Sequence, residues 1–100
     1  MKRIIDGLTY NTETATEVAR WDYGYEGDFD YVREGLYVTK RKRWFRAGWG
    51  GARTVYGRTT STNSTTEGYG VIPVTEDDAL AILEDHQCPA AIEQYFAHRL

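Results

Sequence analysis

Between Thr39 and Arg58 the chain reads TKRKRWFRAGWGGARTVYGR, with seven basic residues and no acidic one. Phosphate contacts need Lys or Arg, and single strands are held where bases stack on exposed rings. Trp44, Trp49 and Tyr56, interleaved with Arg43, Arg46, Arg53 and Arg58, supply the ingredients of a nucleic-acid grip. The same composition suits a docking surface for protein, or a hairpin whose charged tip blunts edge pairing. A second stretch, WDYGYEGDFDY over residues 21–31, mixes tyrosine, glycine and carboxylate as binding loops do. There Tyr25, Glu26, Asp28 and Asp30 can present rings and negative charge to an Arg-rich partner.

Other chemistries lack parts. Gly48, Gly50 and Gly51 are followed by no Lys–Ser/Thr pair and open no helix, so neither a P-loop nor a dinucleotide fingerprint is met. His86, Cys88 and His98 match no zinc spacing and lack a fourth ligand, so no metal and no cofactor is expected. Cys88 beside Pro89 reads as a helix-entry residue, and Ser61 and Ser64 lie in a polar loop that cannot hold a nucleophile against a base. Asp28 and Asp30 have no identifiable metal or oxyanion donor beside them. The chain is therefore expected not to be an enzyme. Asn63–Ser64–Thr65 matches a glycosylation acceptor, a chance match where no signal peptide is seen.

The net charge of −3 hides a segregation. Residues 1–34 carry four basic and eight acidic side chains (−4), residues 35–66 seven basic and none acidic (+7), and residues 67–100 one basic and seven acidic (−6). Acidic blocks on either side of the basic one oppose a polyanion and favour a protein partner. An apolar fraction of 41% in 100 residues is enough for one small core, so a single domain over residues 1–100 is expected. Eight tyrosines exceed what that core can hide, which places some rings at the surface. The lone Cys88 allows no internal disulfide, and no apolar run has the length of a secretory h-region or a membrane span. A cytoplasmic protein is the expectation.

The elements that must position these residues follow from local signals. Asp6–Gly7 in RIIDGLTYN predicts a tight hairpin, since both central residues of a type I′ turn need positive φ. NTETAT predicts a turn with Asn11 or Thr12 capping it, and EVARWDY a strand. YVREGLYVTK sets Val32, Leu36 and Val38 on one face and Tyr31, Arg33, Tyr37 and Thr39 on the other, the alternation of a half-buried strand. RWFRAGW returns across the tip Arg41–Lys42, with Phe45 and Ala47 inward and Trp44 and Arg46 outward. ARTVYGR is strand-prone, TTSTNSTTEG reads as a mobile polar loop, and GVIPV as a short strand. Thr75 caps a helix TEDDALAILEDH whose buried stripe is Ala79, Leu80, Ile82 and Leu83. Pro89 opens a second helix with Ile92, Tyr95, Phe96 and Leu100 on one face, closed by His98 and Arg99. Strands first and helices last make an α+β layout: an antiparallel sheet built from hairpins, with two C-terminal helices packed on one face.

The segments MKRIIDGLTYNTETATEVARW, LYVTKRKRWFRAGWGGA and GVIPVTEDDALAILEDH together resemble a group of small bacterial and phage-associated proteins. Their pattern is a K-IIDG-YNTETA start, an LY-T--G-WF--G-GG centre and an IPLTE-EA---LE helix. Lys42 stands where that pattern favours glycine at the hairpin tip, and Trp49 where an acidic residue is frequent. Both departures add cation or ring to the central segment. Small proteins of this sort, carried on phages and mobile elements, include inhibitors of host defence, anti-CRISPR proteins among them, and the link is by neighbourhood and size. The resemblance implies stoichiometric binding to a host protein such as a CRISPR effector subunit, in the host cytoplasm and with no chemistry performed.

The expected contact residues are Arg43, Arg46, Trp49, Arg53 and Tyr56 on one surface and Tyr25, Glu26, Asp28 and Asp30 on a second. A small nucleic-acid-binding regulator using the basic-aromatic hairpin is the alternative. A purely structural or oligomerising element is a third reading.

Overall fold

Asp6 and Gly7 take φ of 52° and 77°, the left-handed backbone that the two-residue turn requires. In the computed structural model, which describes residues 1–60 and 64–100, this turn joins β1 (Lys2–Ile5) to β2 (Leu8–Asn11). Asn11 then caps the next turn, its Oδ1 accepting from the Glu13 amide at 3.0 Å, and releases the chain into β3 (Thr16–Tyr23). β4 (Val32–Val38) and β5 (Trp44–Gly50) form the central hairpin. Of the strand-prone ARTVYGR only Arg58 lies in a strand, the preceding residues forming turns, and TTSTNSTTEG, expected to be a mobile polar loop, contributes Thr59 and Thr65–Thr66 to the pairing of β6 (Arg58–Thr59) with β7 (Thr65–Thr66). Ser61, Thr62 and Asn63 lie outside the described residues, and with them the start of the glycosylation match. β8 (Gly68–Val74) completes a four-stranded antiparallel sheet in the order β3-β4-β5-β8.

Thr75 caps α1 (Glu76–Asp85), its hydroxyl accepting from the Asp78 amide at 3.0 Å. Pro89 opens α2 (Pro89–Phe96). A 3-10 turn, Ala97–Arg99, follows and carries His98 and Arg99 back to the first turn of α1, where they meet Glu76 (3.4 Å) and Asp77 (2.7 Å). The helical stripe ends at Phe96: Leu100 is exposed, because the 3-10 turn rotates it off the face that a continuous helix would have kept inward.

The strand alternation sorts residues correctly into faces, but both faces are covered. On one side Leu36, Val38 and Trp44 pack with Ala79, Leu83 and Phe96 of the helices. On the other, the β1–β2 hairpin lays Tyr10 edge-on to Phe45 at 5.5 Å, and Tyr37 stacks on Phe45 at 5.2 Å. β4 is therefore buried on both sides rather than half-buried, and Trp44, expected outward, is a core residue stacked on Phe96 at 5.3 Å. Each such large side chain contributes about 1.5–3 kcal/mol through burial.

At the β4–β5 tip the main chain of Thr39 bonds Arg43 and Lys42, and the Thr39 hydroxyl accepts from the Arg43 amide at 3.0 Å. Lys42 is held at φ 67°. Glycine takes this conformation freely, whereas a side chain there costs roughly 1–2 kcal/mol.

Candidate functional site

Glu34 sits on the helix-facing side of β4, between Val32 and Leu36, and is only 7% exposed. Its carboxylate accepts from Arg46 Nη2 (2.8 Å) and Nε (3.1 Å), from Trp21 Nε1 (3.1 Å) and from the Tyr56 hydroxyl. A buried carboxylate is tolerable only when paired and fully hydrogen-bonded. These donors, drawn from β3, β5 and the segment before β6, meet that condition. Gly48 permits the close approach of β5: a Cβ there would lie 2.1 Å from the Arg33 carbonyl oxygen and 2.6 Å from the Glu34 Cα.

Tyr56 anchors the segment 51–57 to this carboxylate, and that segment docks on the loop 24–31. The Gly51 amide donates to the Tyr31 carbonyl (2.7 Å) and the Arg53 amide to that of Phe29 (2.9 Å). Arg53 then pairs with Asp30 at 3.1 Å and lies over the Phe29 ring. The two stretches read in the sequence as separate surfaces are thus one assembly at one end of the sheet, where Tyr23, Val32, Gly50 and Gly68 share a row.

On that end Trp49 and Tyr69 are cross-strand neighbours, 40% and 67% exposed, and Trp49 is steadied by its indole N–H donating to the Tyr31 hydroxyl at 3.1 Å. They line a groove of about 710 Å³ with Arg3, Arg58, Glu26 and Glu67. Tyr25 (83% exposed) and Phe29 stand in the adjoining loop.

The expected contact residues therefore divide. Trp49, Arg53, Tyr25, Glu26, Asp28 and Asp30 belong to this end and are exposed. Arg43 stands at the opposite end, beside the β4–β5 tip. Tyr56 and Arg46 are corrected: Tyr56 is buried with its hydroxyl on Glu34, and Arg46 is held by the same carboxylate, so neither offers its polar group to a partner. Tyr69, Arg3 and Glu67 were missed. The signal for Tyr69 was present, since GYGVIPV places it in alternation with Val71 on the face Trp49 uses. Glu34 also had a signal: a carboxylate on the apolar face of one hairpin strand, with Arg46 nearly opposite on the other.

The residues considered for metal or nucleophilic chemistry are dispersed. His86 stacks on Trp21 at 4.0 Å, the Cys88 thiol donates to the His86 carbonyl at 3.5 Å, and His98 faces Glu76. Among the described residues no group of three or more His, Cys, Asp or Glu is placed to hold a metal. No helix among them is long and apolar enough to cross a membrane.

Electrostatics reinforce the interior cluster. Burial, then the hydrogen bond to the Glu34 carboxylate, pushes the Tyr56 hydroxyl well above the usual tyrosine range. Burial, then the Glu17 carboxylate, raises Tyr37. Burial opposes the charge on Arg46, but the Glu34 bonds outweigh it and hold the guanidinium above its ordinary value. A tyrosine whose folded pKa is raised contributes stability fully present below its unfolded value of about 10, lost as pH rises beyond it because only the unfolded chain releases the proton. Stability should therefore fall above about pH 10, by up to about 1.4 kcal/mol per pH unit for Tyr56. Denaturant melts across that range measure it. Tyr56→Phe should flatten the decline, and an unchanged slope in that variant would contradict the assignment.

Fold and groove together define an α+β domain: a four-stranded antiparallel sheet between a β-hairpin and a helix pair, with a mixed-charge aromatic groove at one end. Compared with family models, curated proteins and solved structures, the chain has no match.

Proposed function

We propose that this chain is a non-enzymatic, protein-binding module of phage or mobile-element origin, acting in the host cytoplasm by stoichiometric occupation of a protein surface. The observation that supports it is the exposed pair Trp49–Tyr69 in a groove rimmed by Arg3, Arg58, Glu26 and Glu67. Aromatic rings and arginine are the side chains enriched where proteins meet, and rings fixed before binding lose little entropy on contact. Both carboxylates face the groove, which suits a protein of mixed charge better than a polyanion. The resemblance of the opening hairpin and central strands to phage-associated proteins suggests the partner: a CRISPR effector subunit.

The test is capture by the tagged chain of purified CRISPR effector complexes, with Trp49→Ala/Tyr69→Ala as the control. Tyr69 is exposed and Trp49 partly so, so the double variant should stay folded with a stability loss of about 1–2 kcal/mol from the lost Trp49–Tyr31 bond and indole packing, while binding at a temperature where both fold weakens at least 30-fold, the effect of losing a hot spot worth about 2 kcal/mol. Failure to bind any effector removes the proposed target. Binding unaffected by the double variant removes the groove.

A further inference from the structure

At the other end of the sheet, the β4–β5 tip carries Lys40, Arg41, Lys42 and Arg43 in succession. Arg20, Arg33, Arg46, Arg53 and Arg99 are each ion-paired to a carboxylate; among the described residues none of the four tip cations is, nor are Lys2, Arg3 and Arg58, but only at the tip do four such cations stand in succession. Lys40, Arg41 and Arg43 line a second groove, of about 390 Å³, whose other wall includes Thr9, Asn11 and Thr14 from the N-terminal hairpin and the turn after it. The tip is also a fixed structure, closed by the Thr39–Arg43 bonds, and it keeps a lysine at a left-handed φ that glycine would take more easily. A lysine at this backbone position, in a row of four cations with no internal ion pair, leaves a concentrated positive charge free for an external contact.

We infer that this tip and groove form a second binding site, independent of the aromatic end, for the phosphodiester backbone of a nucleic acid. Lysine and arginine with threonine and asparagine side chains are the donors that phosphate oxygens take, and such contacts position a backbone without reading its sequence. The groove has no aromatic side chain in its lining, so it lacks both the stacking platform that would read bases and the anchor that a protein partner would seat. An acidic protein segment is the competing occupant that the test separates. The basic-aromatic grip expected from the sequence is thus divided, with the exposed ring Trp49 and Arg58 at one end of the sheet and the run Lys40–Arg43 at the other.

Fluorescence anisotropy of the intact chain with fluorescein-labelled duplex DNA of random sequence, titrated with salt, tests the site. Two to four phosphate contacts give a slope of log Kobs against log salt between about −2 and −4. Lys42→Gly removes one cation at a position where glycine fits the backbone, so it should reduce the slope by about one while thermal stability holds or rises. Lys40→Ala/Arg41→Ala should reduce it further, and Trp49→Ala/Tyr69→Ala should leave it unchanged. The inference is overturned if the tip variants bind as the parent does, if the aromatic variant abolishes binding instead, or if unlabelled polyglutamate competes as well as unlabelled duplex at equal charge.

Discussion

Glu34→Ala is expected to remove about 3–5 kcal/mol of stability, a large share of what a domain of this size holds. The carboxylate neutralises Arg46 and accepts from Trp21 and Tyr56, so its loss leaves a half-buried guanidinium and two inward-facing donors without their acceptor. Urea or guanidinium denaturation followed by circular dichroism measures the change. A second variant isolates the cause: Glu34→Ala/Arg46→Met removes the uncompensated charge and should recover much of the loss, as buried pairs replaced by apolar side chains commonly do. A loss below about 1 kcal/mol in the single variant would mean that the cluster is more hydrated than its burial implies. Because Tyr56 ties the segment 51–57 to Glu34, and that segment carries Arg53 against Asp30, the same substitution should weaken docking at the aromatic end even in the fraction that stays folded.

Phe96→Ala is expected to cost about 3–5 kcal/mol. Phe96 is the residue of α2 that is completely buried; it stacks on Trp44 and packs in the cluster formed by Leu36, Val38, Ala79 and Leu83. Its removal takes away apolar burial and leaves a cavity between helix and sheet that the rigid strands cannot close. The indole of Trp44 would gain water, so its fluorescence should shift to longer wavelength in the folded state. Phe96→Leu, which refills part of the volume, should lose markedly less. Equal losses for alanine and leucine would point to the Trp44 stacking geometry, rather than the cavity, as the dominant contribution. The aromatic groove lies at the far end of the sheet from Trp44, so partner binding by folded Phe96→Ala should be near parental.

What was legible in the sequence was local. The Asp6–Gly7 turn, the Thr75 cap with its Asp78 partner, the Pro89 helix start and the alternation of Trp44, Phe45, Arg46 and Ala47 depend on neighbours a few residues away, so a short window contains their cause. The α+β order of strands and helices followed from them. What only the tertiary structure decided is which faces are covered and which groups meet. A period of two says that Tyr37 and Phe45 share a side; it does not say that Tyr10, some 30 residues earlier, will lie on them. Nor does it say that Tyr56 turns inward to a carboxylate 22 positions before it. Such contacts arise when distant segments close over the sheet, and their stabilisation is apolar burial together with hydrogen-bond satisfaction, neither of which belongs to any one segment. So the basic-aromatic stretch from Thr39 to Arg58 was visible as a composition, whereas its division into a buried middle, an aromatic end and a cationic tip is a property of the fold.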